Sequence, residues 1–250
     1  MLLALLLVAC SNPPEETPPE MEELVWMLLR DFGTEDAVGE AEYLAAWMDE
    51  EIQSPEEGYA VETPATTYVE ALEFSPNLEL GNMSGGLVIR RVRGTLDAYM
   101  AVVPEPDQSF ADSSYDRWDR TIANGSEAAW ADREDLVADD AIEKNGGFGI
   151  VLPYPMLRQF RWVELERGPS VITHSVIYDE GWADESNGIV GGFTIEVLLP
   201  DGDDMLWLNC TWTQVISIVG DNPEFYTNQI INGSTDVMIG TELYVSGPEE

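Results

Sequence analysis

The sequence predicts an α+β fold: an antiparallel β-sheet with an N-terminal helical pair and a C-terminal helix. Three observations carry this. Residues 20–52 place apolar side chains at helical spacing. Residues 148–218 hold runs of alternating apolar and polar residues, separated by turn chemistry at DESNG and PDGDD. Beyond Asn222-Pro223, apolar and small residues return to helical spacing.

The chain opens on MLLALLLVA and then Cys10. Residues 2–9 are apolar without a break. A membrane-spanning helix needs ~20 such residues, so the run fits the apolar core of a secretory signal instead. Leu7-Val8-Ala9-Cys10 resembles the lipobox of bacterial lipoproteins. That resemblance implies cleavage after residue 9, a diacylglycerol thioether on Cys10, and a further acyl chain, of the palmitate kind, on the new amino group. Three chains at ~0.8 kcal/mol per buried methylene make such an anchor permanent. No Lys or Arg precedes the run, unlike the charged start of most signals, so an earlier start than Met1 is expected. Residues 10–20 follow as the lipidated Cys and a tether. The stretch SNPPEETPPE has four prolines, three glutamates and nothing to bury, which suits an extended spacer. Ser11 rather than Asp after the lipidated position points to the outer membrane, on its periplasmic or surface face.

Residues 21–60 read as an acidic helical extension, and residues 61–250 as the antiparallel α+β domain. Glu20 to Phe32 forms a first helix with Leu24, Met27 and Leu28 on one face. Thr34 caps a second, running to about Ile52, with Val38, Ala41, Leu44, Ala45, Met48 and Ile52 along one side. TTYVEALEF, GGLVIRRVRG and TLDAYMAVV read as short strands, and RWDRTIA as another. Gly125 to Asp140 reads as a helix with Ala128, Ala129, Leu136 and Val137 turned inward.

In the main β region Phe193, Ile195, Val197 and Leu199 alternate to one face, as do Leu206, Leu208, Cys210, Trp212 and Ile216. Thr194, Glu196, Asn209, Thr211 and Thr213 point the other way, as in a meander with one buried face. In the last segment Tyr226, Ile230, Gly233, Val237, Gly240 or Thr241, and Tyr244 share a helical face. Asp221 or Asn222 caps it and Pro223 suits its first turn. Its Gly, Thr and Val content keeps a final strand as the competing reading.

Composition bounds the function. There are 48 acidic residues against 11 basic, a net charge of −37. Nucleic acid is excluded as a partner, and anionic headgroups repel the chain, so a lipid anchor must supply membrane attachment. The acids are spread along the chain, which suits a solvated surface rather than a cation site. Lys144 is the only lysine. With Cys10 lipidated, Cys210 has no partner, and its apolar strand LWLNCTW suits a buried, inert thiol.

His174 is the only histidine, which rules out a site with two His ligands in one chain. No G-x-S-x-G elbow accompanies it. It alternates with Ile172, Val176 and Tyr178, so it reads as a core or cavity-wall residue. His174, Trp162, Tyr178 and Trp212 are the candidate ligand contacts. Asp201-Gly202-Asp203-Asp204 and Asp184-Glu185-Ser186-Asn187 do not match the calcium loop and read as turns. Arg90, Arg91 and Arg93 read as partners for the acid excess. No metal, cofactor or catalytic residue is predicted.

The element order and the aromatic RQFRWVELER region make residues 115–246 similar to the helix-grip superfamily of START and polyketide-cyclase-like proteins. That resemblance implies a sheet and final helix enclosing an apolar cavity. YDRWDRTIANG, VLPYPMLRQFRWVE and WTQV also resemble segments of uncharacterised acidic envelope lipoproteins, which carries over no functional residue. The resulting expectation is a non-catalytic envelope lipoprotein that binds an apolar small molecule or lipid. The alternatives are a structural or interaction protein of the cell surface, its protein partner open, and a hydrolase using an acidic pair.

Overall fold

A computed structural model describes residues 15–16, 19–51, 58–74, 76–145, 150–217 and 222–248. The signal segment, Cys10, Ile52 and Asp221 lie outside them. In chain order the elements are β1 (Glu15–Glu16), α1 (Pro19–Asp31), α2 (Asp36–Glu51), β2 (Tyr59–Ala60), α3 (Thr66–Val69), β3 (Ser84–Arg93), α4 (Leu96–Val102), β4 (Tyr115–Asn124), α5 (Glu127–Ala131) and β5 (Leu136–Asn145). They continue with β6 (Val151–Leu165), β7 (Gly168–Ile177), β8 (Gly181–Asp184), β9 (Asn187–Asp201), β10 (Asp204–Ile216) and α6 (Pro223–Ser246). Among the described residues the strands form one sheet, ordered β1-β2-β3-β10-β9-β7-β6-β5-β4, with β8 beside β9. Every pairing but the short β1–β2 contact is antiparallel. The helix-grip arrangement of a large antiparallel sheet, an N-terminal helical pair and a C-terminal helix is therefore what the chain adopts.

Cross-strand register decides which side chains share a face. Leu87, Cys210, Ile195 and His174 lie opposite one another on successive strands. This outer face packs on α1 and α2 through a core that includes Val25, Leu28, Leu44 and Met48. Helices α1 and α2 are thus a layer of the core. The inner face carries Val88, Asn209, Glu196 and Thr173 in register. It packs towards α6 and α4. Both faces are covered, which corrects the expectation of one buried face. Glu196 is 2% exposed and Thr173 1%. A polar row can be buried when its groups bond one another, and here they do.

Four other expectations are corrected. In α1 the buried row is Met21, Val25, Leu28 and Leu29, continued by Phe32 just past its end, while Leu24 and Met27 are half-buried. Residues 24–29 are apolar all round the helix, so spacing alone does not select a face. TTYVEALEF and TLDAYMAVV form α3 and α4, not strands. Thr95 caps α4 by accepting from the Ala98 N–H, and Leu96, Tyr99, Met100 and Val103 are buried at helical spacing. The Gly125–Asp140 segment is the short α5 followed by β5. Leu136, Ala138, Asp140 and Ile142 of β5 alternate inward, and the inward acid hides that alternation. Finally, register shifts between Gln214 and Val215. Gln214 turns inward to accept from the Glu79 N–H at 2.8 Å, and Ile216 leaves the apolar row.

Helix α6 starts where Asn222 Oδ1 accepts from the Phe225 N–H at 3.2 Å. Its glycines serve close approach rather than flexibility. A Cβ on Gly240 would lie 1.9 Å from the Ala111 carbonyl oxygen, so only glycine lets the helix cross that loop. Among the described residues no helix is long and apolar enough to cross a membrane.

Candidate functional site

Between the inner face and α6 lies a cavity of about 410 Å³, within the ~300–1,000 Å³ usual for small-molecule sites. Its roof is Tyr226, Ile230, Gly233 and Val237 of α6, four of the six residues given a common face by their spacing. Its floor is Thr194, Glu196, Asn209, Thr211 and Thr213. Leu152, Tyr154 and Met156 of β6 wall one side, joined by Tyr115 and Lys144. Ile216 and Phe225, 41% and 39% exposed, form its solvent-facing rim. The space arises from the alternation of β9 and β10. Inner positions carry Thr and Asn, while outer positions carry Ile195, Cys210 and Trp212, which fill their side completely.

The floor is internally bonded. Thr194 and Thr211 share a hydrogen bond of 2.9 Å, and Thr211 donates to Asn209 Oδ1 at 3.0 Å. Asn209 Nδ2 donates to Glu196 at 2.9 Å, and Ser234 of α6 donates to Asn209 Oδ1 at 2.9 Å. Trp207 Nε1 reaches Glu196 at 3.2 Å. Arg158 pairs with Glu196 and donates to Ser175 Oγ at 3.0 Å. Low dielectric strengthens such a network when every member is satisfied. Deeper still, Arg120 grips Asp140 through two bonds of 2.7 Å and gives a third, of 2.8 Å, to the Val103 carbonyl. The two guanidinium carbons lie 5.3 and 5.5 Å from the Phe160 ring centre.

The four residues expected to contact ligand do not converge. His174 is 6% exposed on the outer face, its ring 5.4 Å from Phe32. Burial alone lowers its pKa to about 4, and its Nε2 has no partner among the described residues. Trp212 is fully buried on the same face and donates to the Glu62 carbonyl at 2.8 Å. Trp162 lies on the inner face but packs against Trp130, the rings tilted by 40° with centres 5.2 Å apart, away from the cavity. Tyr178 is 39% exposed and bonded to Asp139 at 3.0 Å. None of the four lines the cavity. The floor row was visible in the sequence as a polar alternation, but alternation alone reads as a solvent face. Lys144 had a signal too, because it extends the inward β5 row of Leu136, Ala138, Asp140 and Ile142.

Cys210, the Asp184 turn, Arg91 and Arg93 behave as the residues suggested, whereas Arg90 has no acid at ion-pair distance among the described residues. Cys210 is a free thiol, fully buried, and burial pushes its pKa well above the usual value. Asp184 is held in a turn by the Ser186 N–H at 2.7 Å and by Asn187. Arg91 and Arg93 pair with Asp201 and Glu242. Among the described residues no group of three metal-ligating side chains converges.

No protein-family model matches the chain, and no curated protein matches it. Solved structures are similar to it at low identity. A STAR-related lipid transfer protein from Xanthomonas axonopodis is 10% identical at a TM-score of 0.43, over 65% of this chain and 85% of its own. A protein from Thermus thermophilus is 13% identical at 0.45, over 64% and 94%. The lipid transfer and protein localization domain of human StarD13 is 10% identical at 0.40, over 82% and 97%. The likeness is one of architecture alone. Nothing in these matches supports the resemblance to acidic envelope lipoproteins.

Proposed function

We propose that this chain is a binding protein that takes an apolar small molecule or lipid into the cavity beneath α6, while an anchor on Cys10 holds it to the outer membrane. The cavity carries the reading. Its walls are mostly aliphatic and aromatic, and the Thr194, Thr211, Asn209 and Glu196 groups of its floor already bond one another, so an apolar body can lie over them without stranding those donors. The single carboxylate among its described lining residues, Glu196, is held by Arg158, Trp207 and Asn209. That disfavours the alternative of a two-carboxylate hydrolase, which needs two acids facing one substrate. The anchor rests on the lipobox-like Leu7–Cys10 and the Pro/Glu-rich stretch behind it, within which Glu15–Glu16 already pair with β2 and α1 begins at Pro19.

One experiment tests both parts. The full chain, extracted from bacterial membranes in mild detergent, is analysed by native mass spectrometry. Expected are a covalent acyl mass lost in Cys10→Ser and a noncovalent small molecule lost in Thr213→Trp, which fills the cavity. An unmodified Cys10 would sink the anchor. A bare wild type, or equal retention by Thr213→Trp, would sink the binding role.

A further inference from the structure

Lys144 is placed unlike the other cations of the chain. Nine of the ten arginines hold an acid in an ion pair. Arg90 is the exception, and it does not line the cavity. Lys144 has no carboxylate within ion-pair distance among the described residues, in a sequence with 48 acids. Its ammonium lies over the Tyr115 ring at 4.9 Å. On the other side it meets the bare backbone of Gly233, where a Cβ would come within 3.1 Å of Nζ. Both neighbours line the cavity, as Lys144 does. Tyr115 first, with Asp112 and Asp236 at longer range, raises its pKa above the ordinary value, so it is an ammonium at neutral pH. Asp112 is already engaged by Ser114, whose N–H donates at 2.9 Å.

A half-buried charge without a directly paired counter-ion is costly, and an incoming anion relieves that cost. The rest of the lining sets the anion's class. The only other cation among its described residues, Arg158, is neutralised by Glu196, so the cavity offers one net positive site against a strongly negative protein. A second negative charge on the ligand would find no partner. The remaining walls are mostly apolar, Leu152, Met156, Ile177, Ile189, Val215 and Ile230 among them, with the neutral Asn145, Asn187 and Gln229 as polar members. We infer that the cavity ligand is an amphipathic carboxylate, its single negative charge paired with Lys144 and its apolar body lying under α6. This rests on the proposed binding role and adds the head group to it.

The test compares dodecanoate with dodecan-1-ol, equal in chain and different in charge, by titration calorimetry on the full chain at neutral pH. The wild type should bind the acid about ten- to a hundred-fold more tightly, as a charge-assisted pair does. Lys144→Met should lose the preference for acid over alcohol, while Lys144→Arg keeps most of it. Equal binding of acid and alcohol by wild type overturns the carboxylate reading and leaves the cavity's binding role standing. A preference that survives in Lys144→Met also overturns it. Binding of neither probe removes the binding role and this inference together. If Lys144→Met fails to fold, the wild-type comparison decides alone.

Discussion

Asp140→Ala is expected to destabilise the protein by about 3–5 kcal/mol. Asp140 is fully buried, and the Arg120 side chain is 2% exposed. The carboxylate takes two bonds from Arg120 and one from Trp118 Nε1 at 2.9 Å. Burial lowers the Arg120 pKa and Asp140 opposes that. Removing the acid leaves a guanidinium in the core with only the Val103 carbonyl and two aromatic rings. The penalty comes from the stranded charge rather than from the lost pair. The double variant Arg120→Met/Asp140→Leu should therefore recover most of the stability. Urea denaturation of the three proteins decides this. A loss below about 1 kcal/mol in Asp140→Ala would show that water or a shifted acid reaches Arg120.

His174→Leu should flatten the acid side of the stability profile and leave binding unchanged. The sign follows from burial. The folded-state pKa is lowered to about 4 from an ordinary 6.5, so the folded chain resists the proton that the unfolded chain accepts. Stability from the neutral imidazole is full above pH 6.5 and is lost as pH falls towards 4. At pH 4 and below the loss reaches about 3 kcal/mol. Carboxylates titrate in the same region, so the readout is the difference between wild type and variant at each pH. That gap should grow as pH falls from 7 to 4, in favour of the variant. A constant gap would mean that His174 takes up its proton over the same pH range in the folded and unfolded chains. Weakened ligand binding in the variant would return His174 to the site.

The sheet was legible in the sequence because its outer face follows a strict alternation. Phe193 to Leu199 and Leu206 to Trp212 are apolar at every second position and buried as that pattern requires. The capped α6 was legible through Asn222-Pro223 and its helical face. Helices α3 and α4 were not, since Thr, Val and Tyr favour strands while packing of α3 on α1, and of α4 on α6 and β9, selected helix. The cavity was half legible. Its α6 roof emerged from spacing, but its floor looked like a solvent face. Period-two patterning separates the two faces of a strand and is silent about what covers each. The apolar face with its one histidine attracted the ligand reading, yet good apolar packing closes space. Thr194, Thr211 and Thr213 leave room because they are small, and the first two bond sideways.

The position of a bound molecule tests this two-faced sheet most directly. Crystals of the full chain grown with ω-bromododecanoic acid should give an anomalous bromine peak between α6 and the Thr194–Thr211–Thr213 row. A peak on the opposite face, between His174 and the α1–α2 layer, or an empty cavity at saturating ligand, would contradict it.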